Sequence, residues 1–161
     1  METDSWSDTL RQRTSTCLRA GGYESEVVWV EDAVIEGCYD EFSHQVLWPA
    51  LHYAIPDVPK TTKFYESASF KQYVKVNQKF ADTIKPVWRE GDVVWVNDYY
   101  LMLLPVTLRA AGVMGPIRFF MHVAFPSSKI FQCLPIWEEL LKGILGTEFV
   151  GFQTANYAHH F

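Results

Sequence analysis

The chain has 161 residues, 48% of them hydrophobic and 16% aromatic, with a formal net charge of -5. That is the size of one domain with a core of its own, and so much apolar and ring surface excludes a disordered chain. No basic run interrupts the acidic balance, which removes the footprint of a nucleic-acid or anionic-membrane binder, and no apolar stretch approaches the length of a membrane span.

Residues 1–22 are rich in Ser, Thr and Arg without a sustained apolar period, and are expected to form a mobile leader with little order. The opening METDSWSDTL lacks the basic end and apolar run of a secretory signal, so a cytoplasmic location is expected. Residues 26–31 (EVVWVE), 92–96 (DVVWV), 117–121 (IRFFM) and 148–152 (EFVGF) are short apolar runs bounded by charges or turns, and they predict four buried strands. Residues 39–53 (YDEFSHQVLWPALHY) concentrate aromatics and histidines, a composition suited to core packing and also to sugar-ring contact. The stretch 56–59 reads as a loop. After it, Phe70, Tyr73, Val74, Val76, Phe80, Ile84 and Val87 recur at helical spacing. So do Leu101, Leu104 and Leu108, where Pro105 must start, kink or reset the helix, and Leu134, Trp137, Leu140, Leu141 and Ile144. Thr154 is placed to cap a last helix, and the chain stops at Phe161 without a helix-ending signal, so that helix is expected to be cut. The three cysteines, Cys17, Cys38 and Cys133, have neither metal nor redox spacing and read as reduced thiols, two or three of them packed.

Strands without alternation, separated by helices, predict an open, mainly parallel α/β sheet with helices on both faces, Rossmann-like and truncated. Ligands of such sheets bind beyond the carboxyl ends of the strands. That rule points to the loops after Val96 and Met121. In the first loop, Asp98 is a candidate for sugar hydroxyls and equally for a helix N-cap. In the second, His122 should project at the same edge as Asp98, while Ser127 and Ser128 open a helix and serve as caps or as an anion site.

Four motifs in this order, LWPALHY (47–53), VWVNDYYLMLLP (94–105), FFMHVAFPSSKIFQCLP (119–135) and VGFQTANYAHHF (150–161), resemble glycosyltransferase family 20, the trehalose-6-phosphate synthases. The resemblance runs from about Val27 to Phe161. It implies a retaining transfer of glucose from UDP-glucose to glucose 6-phosphate, without metal or other cofactor, in a cleft between two domains of the GT-B kind. This chain is similar to the N-terminal, acceptor-side domain, so the expected organisation is a leader over 1–22 and a partial family domain over 23–161. By the same resemblance Tyr39 and Trp48 contact glucose 6-phosphate, and Asp98 and His122 are the catalytic positions against the sugars near the reacting centre.

The departures from the family pattern are as informative. The family's opening strand and arginine-bearing glycine loop have no counterpart in 1–16, and Gly21-Gly22, with no strand before it, is a poor phosphate loop. Asn97 stands where the motif has His, Tyr100 where His is common, and Ala124 where Pro is expected. Such changes resemble the noncatalytic synthase-like subunits of fungal trehalose complexes. The second domain, which in the family holds UDP-glucose, lies outside this sequence. The leading expectation is therefore a regulatory-subunit piece or gene fragment of trehalose biosynthesis, inactive by itself and associated with other subunits of a trehalose-synthase complex. The alternatives are part of an active synthase and the synthase-like half of a trehalose-phosphate phosphatase subunit. Glucose 6-phosphate is the expected ligand, and UDP-glucose only together with the second domain.

Overall fold

The structure is a computed structural model that describes residues 3–21, 25–54 and 62–161. The predicted loop at 56–59 and Gly22 of the glycine pair lie outside them. In chain order the helices are α1 (Asp8–Ala20), α2 (Asp32–Glu36), a π-helix (Gly37–Leu47), α3 (Trp48–Leu51) and α4 (Thr62–Ile84). Then follow β1 (Val94–Asn97), a 3-10 turn (Tyr99–Leu101), α5 (Leu104–Ala110), β2 (Ile117–Met121), α6 (Ser128–Phe131), α7 (Trp137–Ile144), β3 (Phe149–Phe152) and α8 (Ala155–His160).

The three strands form one parallel sheet in the order β1-β2-β3, with Val96, Phe119 and Val150 in register. Helices connect the strands because parallel neighbours cannot be joined by a tight turn. Pro105 lies in the first turn of α5, where its missing N–H costs nothing, and Thr154 caps α8 by accepting from Tyr157 N–H.

One sheet face carries Val96, Ile117, Phe119 and Met121, all buried in a core with Leu104 and Leu108 of α5 and Leu140 and Ile144 of α7. On the other face Trp95 is 52% and Phe149 56% exposed, and the Arg118 guanidinium lies over the Trp95 ring at 6.0 Å. The open parallel α/β class expected from the sequence is the class observed. Helices α5 and α7 pack on the buried face.

Three expectations change. Residues 26–31 form no strand and have no regular secondary structure, with the Glu31 carboxylate 3.5 Å from Lys75 and 3.6 Å from Lys79 of α4. A strand needs a partner ladder, and β1 pairs only with β2 among the described strands. In the leader, where little order is expected, residues 8–20 form α1, capped by Ser7, whose hydroxyl accepts from Leu10 N–H. No residue of α1 is buried, consistent with the missing apolar period. The chain before it is held by Asp32, whose carboxylate accepts the N–H groups of Thr3 and Asp4. Of the cysteines only Cys38 is buried, and burial pushes its thiol up to about 12; Cys17 and Cys133 are exposed, against the expectation of two or three packed thiols.

The far end of the sheet is fastened by Arg109. Its guanidinium donates to the carbonyls of Val113 at 2.8 Å, Gly115 at 2.7 Å and Gly146 at 3.1 Å, and it pairs with Glu148. Glu148 in turn accepts from Ile117 N–H at 2.7 Å, a bond that holds its carboxyl below the usual range. Close packing of α7 on the start of α5 depends on Gly143, where a Cβ would collide with the Met102 carbonyl oxygen and lie 2.9 Å from Leu103 Cα. Gly143→Ala is expected to destabilise the fold by about 1–3 kcal/mol through overpacking. Urea unfolding followed by circular dichroism measures it, and an unchanged midpoint would show that α7 can shift freely.

Candidate functional site

The carboxyl ends of β1 and β2 carry the candidate site. β1 ends at Asn97, and the next residue, Asp98, has φ 70° and ψ 169°, a backbone conformation that is essentially glycine's own. Its backbone N–H continues the ladder to the Phe120 carbonyl at 2.8 Å. Its Oδ1 accepts from Tyr99 N–H at 3.0 Å and from His122 N–H at 3.3 Å. Asp98 thus caps the 3-10 turn, one of its two sequence readings, while Oδ2 carries no hydrogen bond among the described residues. The imidazole of His122 is exposed at the mouth, with Nε2 3.1 Å from Asn97 Oδ1 and the ring 4.7 Å from that of Phe120. The expectation that His122 and Asp98 share one sheet edge is met by a direct backbone-to-carboxylate contact.

Tyr39 and Trp48 reach the same place from the helices before α4. Tyr39 lies on the π-helix and is 44% exposed; its ring stacks on Tyr100 at 5.2 Å and 13°. Trp48, 42% exposed, stacks on His52 at 3.8 Å and leans on Tyr99 at 5.9 Å. The Tyr99 and Tyr100 rings are 4.1 Å apart, so a continuous aromatic wall runs Tyr39, Tyr100, Tyr99, Trp48 beside Asp98. Of the four residues expected at the site, Asp98 and His122 meet directly, and Tyr39 and Trp48 are linked to them through the Tyr100 and Tyr99 rings that follow Asp98. Ser127 begins α6 but makes no side-chain cap bond.

The wall stands on residues that sequence reading did not single out for the site. The fully buried Tyr73 of α4 donates its hydroxyl proton to the Tyr99 carbonyl at 2.7 Å and accepts from Met102 N–H at 2.9 Å. Asn77, one helical turn on, donates to the carbonyls of Tyr73 at 2.9 Å and Tyr100 at 3.2 Å. The periodicity of α4 marks Tyr73 as inward-facing, but an apolar period carries no signal for where a hydroxyl lands. Burial raises the Tyr73, Tyr99 and Tyr100 phenols above their ordinary value. No cluster of three or more metal-ligating side chains occurs among the described residues, and none of their helices is long and apolar enough to cross a membrane.

A parallel sheet with helices between its strands and an acid and an imidazole at adjacent strand ends is a Rossmann-like arrangement. The chain belongs to glycosyltransferase family 20, whose model matches residues 2–161, farther toward the N-terminus than the motifs reach. It is 47% identical over 139 residues to a trehalose synthase complex regulatory subunit of Saccharomyces cerevisiae, covering 86% of this chain and 13% of that protein. Among solved structures it is similar to the N-terminal domain of a trehalose-6-phosphate phosphatase from Candida albicans, at TM-score 0.85 and 35% identity, covering 98% of this chain and 32% of the other. It is also similar to an α,α-trehalose-phosphate synthase from Burkholderia xenovorans described in complex with glucose-6-phosphate, at TM-score 0.75 and 36% identity, covering 82% and 28%. The chain spans about an eighth to a third of the length of these relatives.

Raised phenols set the sign of an alkaline prediction. The folded state keeps protons that the unfolded chain releases near the ordinary phenol value of about 10, so their contribution is complete below that pH and is lost as pH rises through it. Tyr73→Phe is expected to cost about 1–3 kcal/mol at neutral pH, because a buried carbonyl and N–H lose their partner. It should also flatten the fall in stability above about pH 10. Urea midpoints across that range measure both, and equal slopes in the two proteins would refute the assignment to Tyr73.

Proposed function

We propose that this chain is the sugar-phosphate acceptor side of a family 20 polypeptide of trehalose biosynthesis, serving in a regulatory subunit and inactive by itself. The observation that carries the reading is the meeting of Asp98 and His122 at adjacent strand ends beside the wall that contains Tyr39 and Trp48. The exposed faces of Tyr39 and Trp48 receive glucose 6-phosphate by ring contact and hydroxyl hydrogen bonding. Asp98 Oδ2 and the His122 imidazole face the sugars where the glycosidic bond would form.

Similarity to a protein described as a trehalose synthase complex regulatory subunit supports the noncatalytic assignment and an association with other subunits of such a complex. So do Asn97, Tyr100 and Ala124, which depart from the synthase pattern. Transfer from UDP-glucose requires groups that stabilise the leaving diphosphate, and loss of one such contact costs about two to three powers of ten in rate. In the family those groups belong to the second domain, beyond this sequence. A cytosolic location belongs to this reading, as the place where a sugar phosphate would be met.

A second reading is favoured by the extent of the match to the Candida albicans phosphatase N-terminal domain: the synthase-like half of a phosphatase subunit. A longer polypeptide running on into an aspartate-nucleophile phosphatase domain would decide for it.

Calorimetric titration of the folded chain with glucose 6-phosphate is expected to show saturable binding, weakened about tenfold or more in Trp48→Ala. A coupled assay with both sugars is expected to show no UDP release. Absence of binding by a chain that circular dichroism shows to be folded would sink the acceptor-site reading, and sugar-dependent UDP release would sink the noncatalytic one.

A further inference from the structure

The π-helix has a consequence for the site that its length alone does not convey. Tyr39 and His44 are five residues apart, a separation that in an α-helix turns two side chains about 140° away from each other. A π-helix closes its hydrogen bonds five residues on, so that the same spacing brings side chains onto one face. Here the Tyr39 and His44 rings meet edge to face at 4.3 Å and 75°. Tyr100 stacks on the face of Tyr39, with its ring 6.4 Å from that of His44 and its hydroxyl 3.5 Å from His44 Nε2, so the three rings form one cluster. Tyr100 is itself immobilised: it accepts from the Tyr99 hydroxyl at 2.6 Å, and its carbonyl accepts from Asn77. The exposed Tyr39 ring is thus held on two adjacent sides, edge to face by an imidazole from its own helix and face to face by a phenol from the β1 loop.

We propose that Tyr100 is a positioning residue for the acceptor site, acting through the Tyr39 ring that it stacks against, with the π-helical placement of His44 adding a second, edge-to-face contact. The proposal rests on the reading of Tyr39 as a ligand contact. It assigns a use to Tyr100, which otherwise stands only as a departure from the family pattern. What Tyr100 supplies is a flat face: it orders Tyr39 before the ligand arrives, so that binding does not have to immobilise an exposed ring. Its hydroxyl serves to hold Tyr100, through Tyr99, and is secondary to the stacking.

Two measurements on the whole chain test this. In the unliganded protein, aromatic NMR is expected to show cross-relaxation between the Tyr39 and His44 rings, kept in Tyr100→Phe and lost in Tyr100→Ala. Persistence of that contact in a folded Tyr100→Ala variant would overturn the proposal without any ligand. In titrations with glucose 6-phosphate, Tyr100→Ala is expected to weaken binding about three- to tenfold, the range of one aromatic pair, and Tyr100→Phe to restore it. The Tyr39→Ala and Tyr100→Ala effects should also fail to add, because one acts through the other. Full additivity, or Tyr100→Phe binding as poorly as Tyr100→Ala, would overturn the positioning role while leaving the acceptor reading intact. If Tyr39→Ala and Trp48→Ala both bind as the unaltered chain does, the acceptor reading itself fails, and this inference with it.

Discussion

The Tyr73 hydroxyl is the bond on which the site's geometry depends. Being wholly buried, it must be satisfied, and it is satisfied twice, by the Tyr99 carbonyl and the Met102 N–H. Those two groups bracket the 3-10 turn, whose backbone has few regular partners of its own. One phenol from α4 therefore fixes where the chain goes after β1, and so where Asp98 ends, where Tyr99 and Tyr100 stack, and where α5 begins. Asn77 repeats the attachment one turn along.

The two ends of the sheet are built on different principles. At the far end Arg109 gathers three carbonyls and the Glu148 carboxylate into a fully paired knot, and Gly143 lets α7 approach α5 at backbone distance. At the site end the chain accepts less favourable local geometry: a positive-φ Asp98 and an eleven-residue π-helix from Gly37 to Leu47. Both are sparsely populated conformations, and such conformations persist only where the surroundings over-determine them. The rigid end and the pinned turn supply that constraint. The strained elements use it to link Tyr39 and Trp48, through Tyr100 and Tyr99, to Asp98 and His122.

The exposed sheet residues have a bearing on how the chain would behave alone. Trp95 and Phe149 are half exposed beside Arg118, on the face opposite the core. The relatives it matches are several times longer than this chain, and that face is apolar surface of the kind further polypeptide can cover.

Period and punctuation in the sequence determined most of the architecture. The apolar runs at 92–96, 117–121 and 148–152 became β1, β2 and β3 within two residues at either end, Pro105 and Thr154 began helices, and the loops after the first two of those strands held Asp98 and His122. These features are local, set by neighbours a few residues away, and so a sequence displays them. Residues 26–31 have the same local character and form no strand, because a ladder requires a partner and the sequence of one segment says nothing about its neighbour in space. For the same reason only the tertiary structure decided which sheet face packs against α5 and α7, that Tyr39 and His44 meet across five residues of π-helix, and that Tyr73, Asn77 and Tyr100 support the site. Each depends on where a side chain from one element lands on another, a relation between distant parts of the chain that exists only once it has folded.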